Sequence, residues 1–315
     1  MPTPRFALVL LLLAGAGACA STGDERGDRR LIVFNAGSLA RPLRTALDTF
    51  ATRHDIAIEQ ESAGSLETAR KITELGKIPD VVALADVAIF PQLLVPAHAD
   101  WHARFARNRM VIAYTDGSRY ASEVDGGNWW QVLQRPDVEV GRADPDLDPN
   151  GYRTLLVLQL AEQHYGDTGL AGRLLARAPS RNVRPKETDL LGLLQAGELD
   201  YIWSYESMAQ AAGLRYVRLP SSIDLGDPAQ AQAYARASVR VVGSTPGDTI
   251  EFRGEPIVYG LSIPREAPHP ELARRFVTWL LSDEGRSVLE RARLDALEQP
   301  EFVGTPAVST PDSLP

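Results

Sequence analysis

Two consecutive stretches repeat one design. "VFNAGSLARPLRTALDTFATRH" (33–54) and "IAIEQESAGSLETARKITELGK" (56–77) each run from a β-branched segment through a Gly-Ser turn into an amphipathic helix. Leu39, Leu43, Leu47 and Phe50 form one apolar helical face, and Leu66, Ala69, Ile72 and Leu75 form another. A strand that feeds a helix, twice in succession, constrains the chain to an α/β architecture. The alternation continues to about Leu297. Further strands are predicted at Val81–Ala85, Met110–Thr115, Val138–Arg142, Tyr201–Trp203, Tyr216–Leu219, Val239–Val242 and Ile257–Ile263. Helices are predicted over Arg153–Tyr165, Leu190–Ala196, Glu206–Gly213, His269–Leu281 and Asp283–Arg293.

Two segments read as crossings between lobes, "NRMVIAYT" (108–115) and "EPIVYGLSIP" (255–264). If the chain crosses at both, residues 31–112 and 258–297 build one lobe and 113–257 the other. The result is two α/β lobes with a hinge and a cleft, a shape that closes around a ligand.

The ends read differently. "MPTPRFALVLLLLAGAGACAST" places an apolar run before small residues and Cys19, the layout of a secretory signal peptide (1–19) and too short to span a membrane. Cys19 is the only cysteine, so no internal disulfide is available. Its setting resembles a bacterial lipoprotein processing site, with Ala16 where such sites usually carry Leu; otherwise Cys19 belongs to a discarded leader. Residues 20–30 read as a charged, flexible tether, and 298–315 as a Pro-rich, loosely ordered tail. The formal charge of −8, without Lys/Arg blocks, argues against nucleic acid as a partner.

A helix start leaves backbone N–H groups unpaired and carries partial positive charge, so it binds anions where the chain permits close approach. Gly permits that approach, and Ser either caps the helix or donates its hydroxyl. Each Gly-Ser turn alone is accounted for by capping. The loop "ADPDLDPNGYRTLLVLQLAE" adds a third helix start, headed by Asp148, from the opposite lobe. Facing the Gly-Ser turns across the cleft, Asp148 would help hold a ligand.

With "FNAGSL", "ESAGSLETARKITELGKIPDVVALAD", "PQLLVPAHADWHARFARNRMVIAYTD", "DPNGYRTLLVLQLAE", "RPKETDLLGLLQAGELDY" and "EPIVYGLSIP" in view, the chain resembles the tungstate/molybdate-binding proteins of ABC importers, in the branch first associated with archaea. The resemblance covers Leu31 to Arg293. It implies a class II periplasmic-binding-protein fold and a small tetrahedral oxyanion as cargo. It implies no cofactor beyond that ligand, an ABC permease in the inner membrane as partner, and a monomer working outside the cytoplasm; any hold on the membrane would come only from a lipid on Cys19, if that residue is a lipoprotein site.

Carried over residue by residue, the resemblance implies that Gly37 and Ser38 form the first anion-binding turn and that Ser65 belongs to the second. Asp148 matches the carboxylate that reaches the metal of the oxyanion, with Pro149, Asn150 and Gly151 in the same loop. Tyr234, in "QAYARASV", matches a site tyrosine. The departure is in "DYIWSYESMA", where the branch often carries a second metal-binding Glu and this chain has Ser204.

Molybdenum and tungsten expand their coordination and sulfur in sulfate does not, so a carboxylate beside the dianion selects the metal oxyanions by repelling sulfate. Ser204 therefore predicts weaker discrimination, or a hydrogen bond from Ser204 to a four-coordinate oxyanion; its plainer role is to cap the next helix. Glu206, in the first turn of that helix, is accounted for by the helix dipole.

The reading is of a binding protein for molybdate and/or tungstate, not an enzyme. Its alternatives are a carrier of another tetrahedral oxyanion such as sulfate, and a deaminase-like or hydrolytic enzyme on the same fold. His98 and His102 lack the Glu of a zinc-hydrolase helix and read as loop residues. Arg153 reads as a brace for Asp residues.

Overall fold

The computed structural model describes residues 30–243 and 247–306. The expected leader, Cys19, nearly all of the tether and the end of the tail lie outside them. Thirteen strands are present among the described residues: β1 (Arg30–Ala36), β2 (Ala57–Ala63), β3 (Val81–Leu84), β4 (Trp101–Arg107), β5 (Met110–Tyr114), β6 (Val140–Ala143), β7 (Val183–Arg184), β8 (Tyr201–Tyr205), β9 (Arg215–Arg218), β10 (Ser238–Val242), β11 (Thr249–Arg253), β12 (Val258–Ser262) and β13 (Asp295–Gly304).

They form two main sheets, in the orders β13-β4-β12-β3-β1-β2 and β7-β6-β8-β5-β9, with β10-β11 as a separate hairpin. β1 pairs in parallel with β2 and β3, and β6 pairs in parallel with β7 and β8. Each lobe is therefore a mixed sheet flanked by helices. β1 is buried along nearly its whole length, as a central strand must be, whereas β2 at the edge alternates between covered and open positions.

The helix Ala40–His54 returns the chain from β1 to β2 and buries Leu43, Leu47 and Phe50, each contributing about 1.5–3 kcal/mol of apolar burial. Phe50 meets Phe276 edge to face at 5.3 Å, which ties this helix to Pro270–Leu280 near the end of the chain.

Both crossings lie side by side, with the Asn108 amide donating to Ile257 O at 3.2 Å. The first switches lobes at Asn108 and Arg109, earlier than the 112/113 boundary expected from the sequence. All of β5 pairs with β8 and four of its residues with β9, so Met110–Tyr114 belongs wholly to the second lobe.

Four strands were not foreseen. β4, "WHARFAR", follows Pro96 and Asp100 and has little apolar contrast, yet most of it is buried between β12 and β13. His102 lies within it, stacked on Phe90 at 4.9 Å. β7 is a two-residue edge strand, too short to leave a period in the sequence. β11 alternates polar and apolar residues in a short hairpin. β13 runs through 295–304 and takes in the first part of the expected tail. Its Pro300 is tolerated because β13 is an edge strand and its register with β4 shifts between Ala296 and Glu301.

Candidate functional site

The two Gly-Ser turns end β1 and β2 side by side, and each meets an element of the other lobe. Gly37 and Ser38 open a single 3-10 turn before the helix Ala40–His54, and Ser65 starts the helix Ser65–Thr73. A Cβ on Gly37 would touch Thr188 Cγ2 at 3.4 Å. One on Gly64 would sit 2.8 Å from the Leu147 carbonyl carbon, closer still to its oxygen, and 3.3 Å from Asp148 Cα. The Glu67 amide donates across the same contact to Leu147 O at 3.3 Å, and Arg70 reaches Asp146 O at 2.8 Å. The lobes are closed on each other, and helix starts from both converge where they meet.

Ser38 and Ser65 are buried, and their hydroxyls are engaged on the lobe 1 side: Ser38 Oγ lies 3.1 Å from the Tyr259 hydroxyl, and Ser65 Oγ accepts from the Ala85 amide at 3.0 Å. Asp148 caps the helix Pro149–Tyr165, whose first position is the Pro that tolerates a missing N–H. Its Oδ1 accepts from the Asn150 amide at 2.9 Å, and its Oδ2 from the Glu187 amide at 3.2 Å. Gly151 is required by the turn itself: a Cβ there would lie 2.5 Å from Asp144 C and 2.6 Å from Pro145 N.

Ser204 is buried, and its hydroxyl does not wait for a ligand. It donates to Glu187 Oε1 at 2.5 Å, and the Tyr205 amide donates to the same oxygen at 2.8 Å. Glu187, 1% exposed at the start of the helix Glu187–Gln195, brings the second carboxylate to Asp148 from a different element. The other Glu187 oxygen, Oε2, is buried without a hydrogen-bond partner, and so are both side-chain polar atoms of Asn150. Orphaned polar atoms at full burial are uncommon and call for an occupant.

Burial pushes the Asp148 carboxyl up to about 6, against the lowering pull of the Asn150 and Glu187 amides and the Arg153 charge. Burial, with the Asp148 charge adding to it, pushes Glu187 up to about 8, opposed by the Ser204 hydroxyl. Both carboxyls are thus harder to ionise than exposed acids, as expected for close acids with little solvent.

Tyr234 is not brought to this cluster. Its hydroxyl lies 3.1 Å from Asp224 Oδ1, accepts from the Asp227 amide at 3.2 Å and donates to Ser221 O. It braces the loop that also bonds both crossings, through Met110 N to Asp224 O and Ile257 N to Leu225 O, each 2.8 Å. The tyrosines at the centre are Tyr205 and Tyr259, whose rings meet edge to face at 6.0 Å. Glu206 turns away to Arg218 at 2.6 Å and Arg109 at 3.2 Å, as its position in a first helical turn suggests. No cluster of His, Cys, Asp and Glu suited to a metal ion occurs among the described residues, and no described helix is long and apolar enough to cross a membrane.

The chain is 42% identical to a solute-binding protein of Petrotoga mobilis, over 87% of this chain and 85% of that one. It is 36% identical to the molybdate/tungstate-binding protein WtpA of Pyrococcus abyssi, over 95% and 93%. The periplasmic molybdate-binding protein of Azotobacter vinelandii superposes with a TM-score of 0.64 at 17% identity, covering 85% of this chain and all of that one, which shows a shared fold. The sequence pattern of the bacterial extracellular solute-binding proteins matches residues 31–292, and the chain belongs to that family.

Proposed function

We propose that this chain captures molybdate or tungstate outside the cytoplasm and delivers it to an ABC permease. The observation that carries the reading is the buried pair Asp148 and Glu187, with Glu187 Oε2 and the Asn150 carboxamide unpartnered, set where helix starts of both lobes converge. The helix starts and the Ser38 and Ser65 turns supply donors for the oxygens of a dianion. The two carboxylates would repel it unless they bond to its central atom, which molybdenum and tungsten allow and sulfur does not.

The role is capture rather than chemistry on a substrate, and the oxyanion is the cargo. Closure buries the ligand and presents one shape spanning both lobes, a population shift that a permease reads. A lipid on Cys19, followed by the polar tether, would keep the protein near that permease.

Calorimetric titration of the purified protein with molybdate, tungstate and sulfate in separate runs tests this. Tight one-to-one binding of both metal oxyanions is expected, with sulfate at least about a hundredfold weaker. Comparable sulfate binding, or no heat with any of the three, contradicts it.

A further inference from the structure

The expected brace role of Arg153 takes a specific form: its partners lie on the other lobe. Arg153 stands on the helix headed by Asp148 and is 2% exposed. Its Nη1 donates to Ala85 O at 2.7 Å and to the Tyr205 hydroxyl at 2.8 Å, and its Nη2 lies 3.0 Å from Asp86 Oδ2. Tyr205 belongs to the same lobe as Arg153, whereas Ala85 and Asp86 follow β3 in the first lobe. Asp86 is 3% exposed; it also takes a short hydrogen bond from the Tyr152 hydroxyl and accepts from the Ala88 amide at 2.9 Å. Tyr152 is itself clamped, its ring stacked on Phe252 of β11 at 4.4 Å.

An ion pair buried to this degree between two lobes exists only while they are closed. Opening moves Asp86 and Ala85 O away from the buried guanidinium they face, whose Nη2 has the Asp86 charge beside it but no hydrogen bond. The segment that receives Arg153 also holds the second Gly-Ser turn, because the Ala85 amide donates to Ser65 Oγ. The helix that carries Arg153 presents Asp148 at its start. The contact that locks the lobes therefore joins the two halves of the oxyanion site through one residue on each side.

We propose that Arg153 and Asp86 form an interlobe latch that sets how long the protein stays closed, and hence how fast it releases its ligand. The proposal rests on the oxyanion-capture reading for the ligand used in its kinetic test, but not for the conformational one. Truncating one partner of a buried, hydrogen-bonded charge pair acts mainly on dissociation. Neither residue needs to touch the oxyanion for this, which makes both positioning residues.

The test compares wild type, Asp86→Asn, Arg153→Lys and the double variant Asp86→Asn/Arg153→Gln. Release of radiolabelled molybdate is chased with unlabelled ligand, and the radius of gyration is measured by small-angle scattering without ligand. Asp86→Asn is expected to release about tenfold to a hundredfold faster, with association changed by less than about threefold. Its unliganded form should be more expanded. Arg153→Lys keeps the charge but not the fork, so it should move both readouts the same way and keep them readable if another variant folds poorly. With Arg153→Gln measured alone as well, the double variant should release no faster than the faster of its two single variants. A folded Asp86→Asn or Arg153→Lys with wild-type release and wild-type scattering overturns the latch. Wild-type protein that fails to bind molybdate overturns the capture reading instead, and the scattering comparison still decides the latch.

Discussion

Replacing Glu187 by alanine is expected to weaken molybdate and tungstate binding by about a hundredfold while leaving sulfate binding unchanged or stronger. The argument lies in the sign. Glu187 is 1% exposed beside Asp148, and its Oε2 has no partner. If an ionised Glu187 made no bond to the central atom, removing that buried carboxylate would relieve repulsion and help every tetrahedral dianion alike. If Glu187 bonds to the central atom, the same change removes a bond that only the metal oxyanions make. Selectivity then falls from both ends. Ser204→Ala acts on the same oxygen pair through the hydrogen bond to Oε1, so it should cost about tenfold in the wild-type background and almost nothing once Glu187 is gone. Competition titrations of the three anions against both variants measure this. Equal losses for molybdate and sulfate would show that Glu187 does not distinguish them.

Gly64→Ala is expected to abolish tight binding without unfolding the protein. The added Cβ would lie 2.8 Å from the Leu147 carbonyl carbon and 3.3 Å from Asp148 Cα, and both atoms belong to the other lobe. No rotamer relieves a clash between a Cβ and backbone, so the lobes cannot reach the closed contact, while the open form is untouched. Affinity should drop by about a hundredfold or more, with the melting temperature of the unliganded protein within a few degrees of wild type. Gly151→Ala gives the contrast. Its Cβ meets Asp144 and Pro145 inside one lobe, at 2.5 and 2.6 Å, so it should lower the melting temperature itself. A Gly64→Ala protein that binds as tightly as wild type would mean that binding does not need this closed contact.

Much of this was legible before any coordinates. The strand to Gly-Ser to helix design placed both turns at one sheet edge, because period and turn chemistry are local properties. Asp148 announced itself as a helix cap from its Asp-Pro-Asn-Gly setting, and both crossings fell within the segments singled out for them. Glu187 was not legible. Like Glu206 it is an acid in the first turn of a helix, where the dipole favours it for purely local reasons. What separates them is tertiary: Glu206 reaches Arg218 and Arg109 near the surface, and Glu187 is enclosed with a hydroxyl and an amide.

Tyr234 failed for a related cause, since a buried tyrosine needs a hydroxyl partner and only the fold decides that the partner is the hinge loop of Ser221, Asp224 and Asp227. β13 was hidden by Pro300, whose breaker signal holds for central strands and lapses at an edge with a register shift.

The most direct measurement of the central claim is X-ray absorption at the tungsten edge of the loaded protein, compared with free tungstate and with the loaded Glu187→Ala variant. Carboxylate oxygens of Asp148 and Glu187 bonded to the metal predict a longer shell of oxygen neighbours beyond the four of tungstate, reduced in the variant. A single shell indistinguishable from free tungstate would contradict the account and leave the two buried carboxyls without the role given to them here.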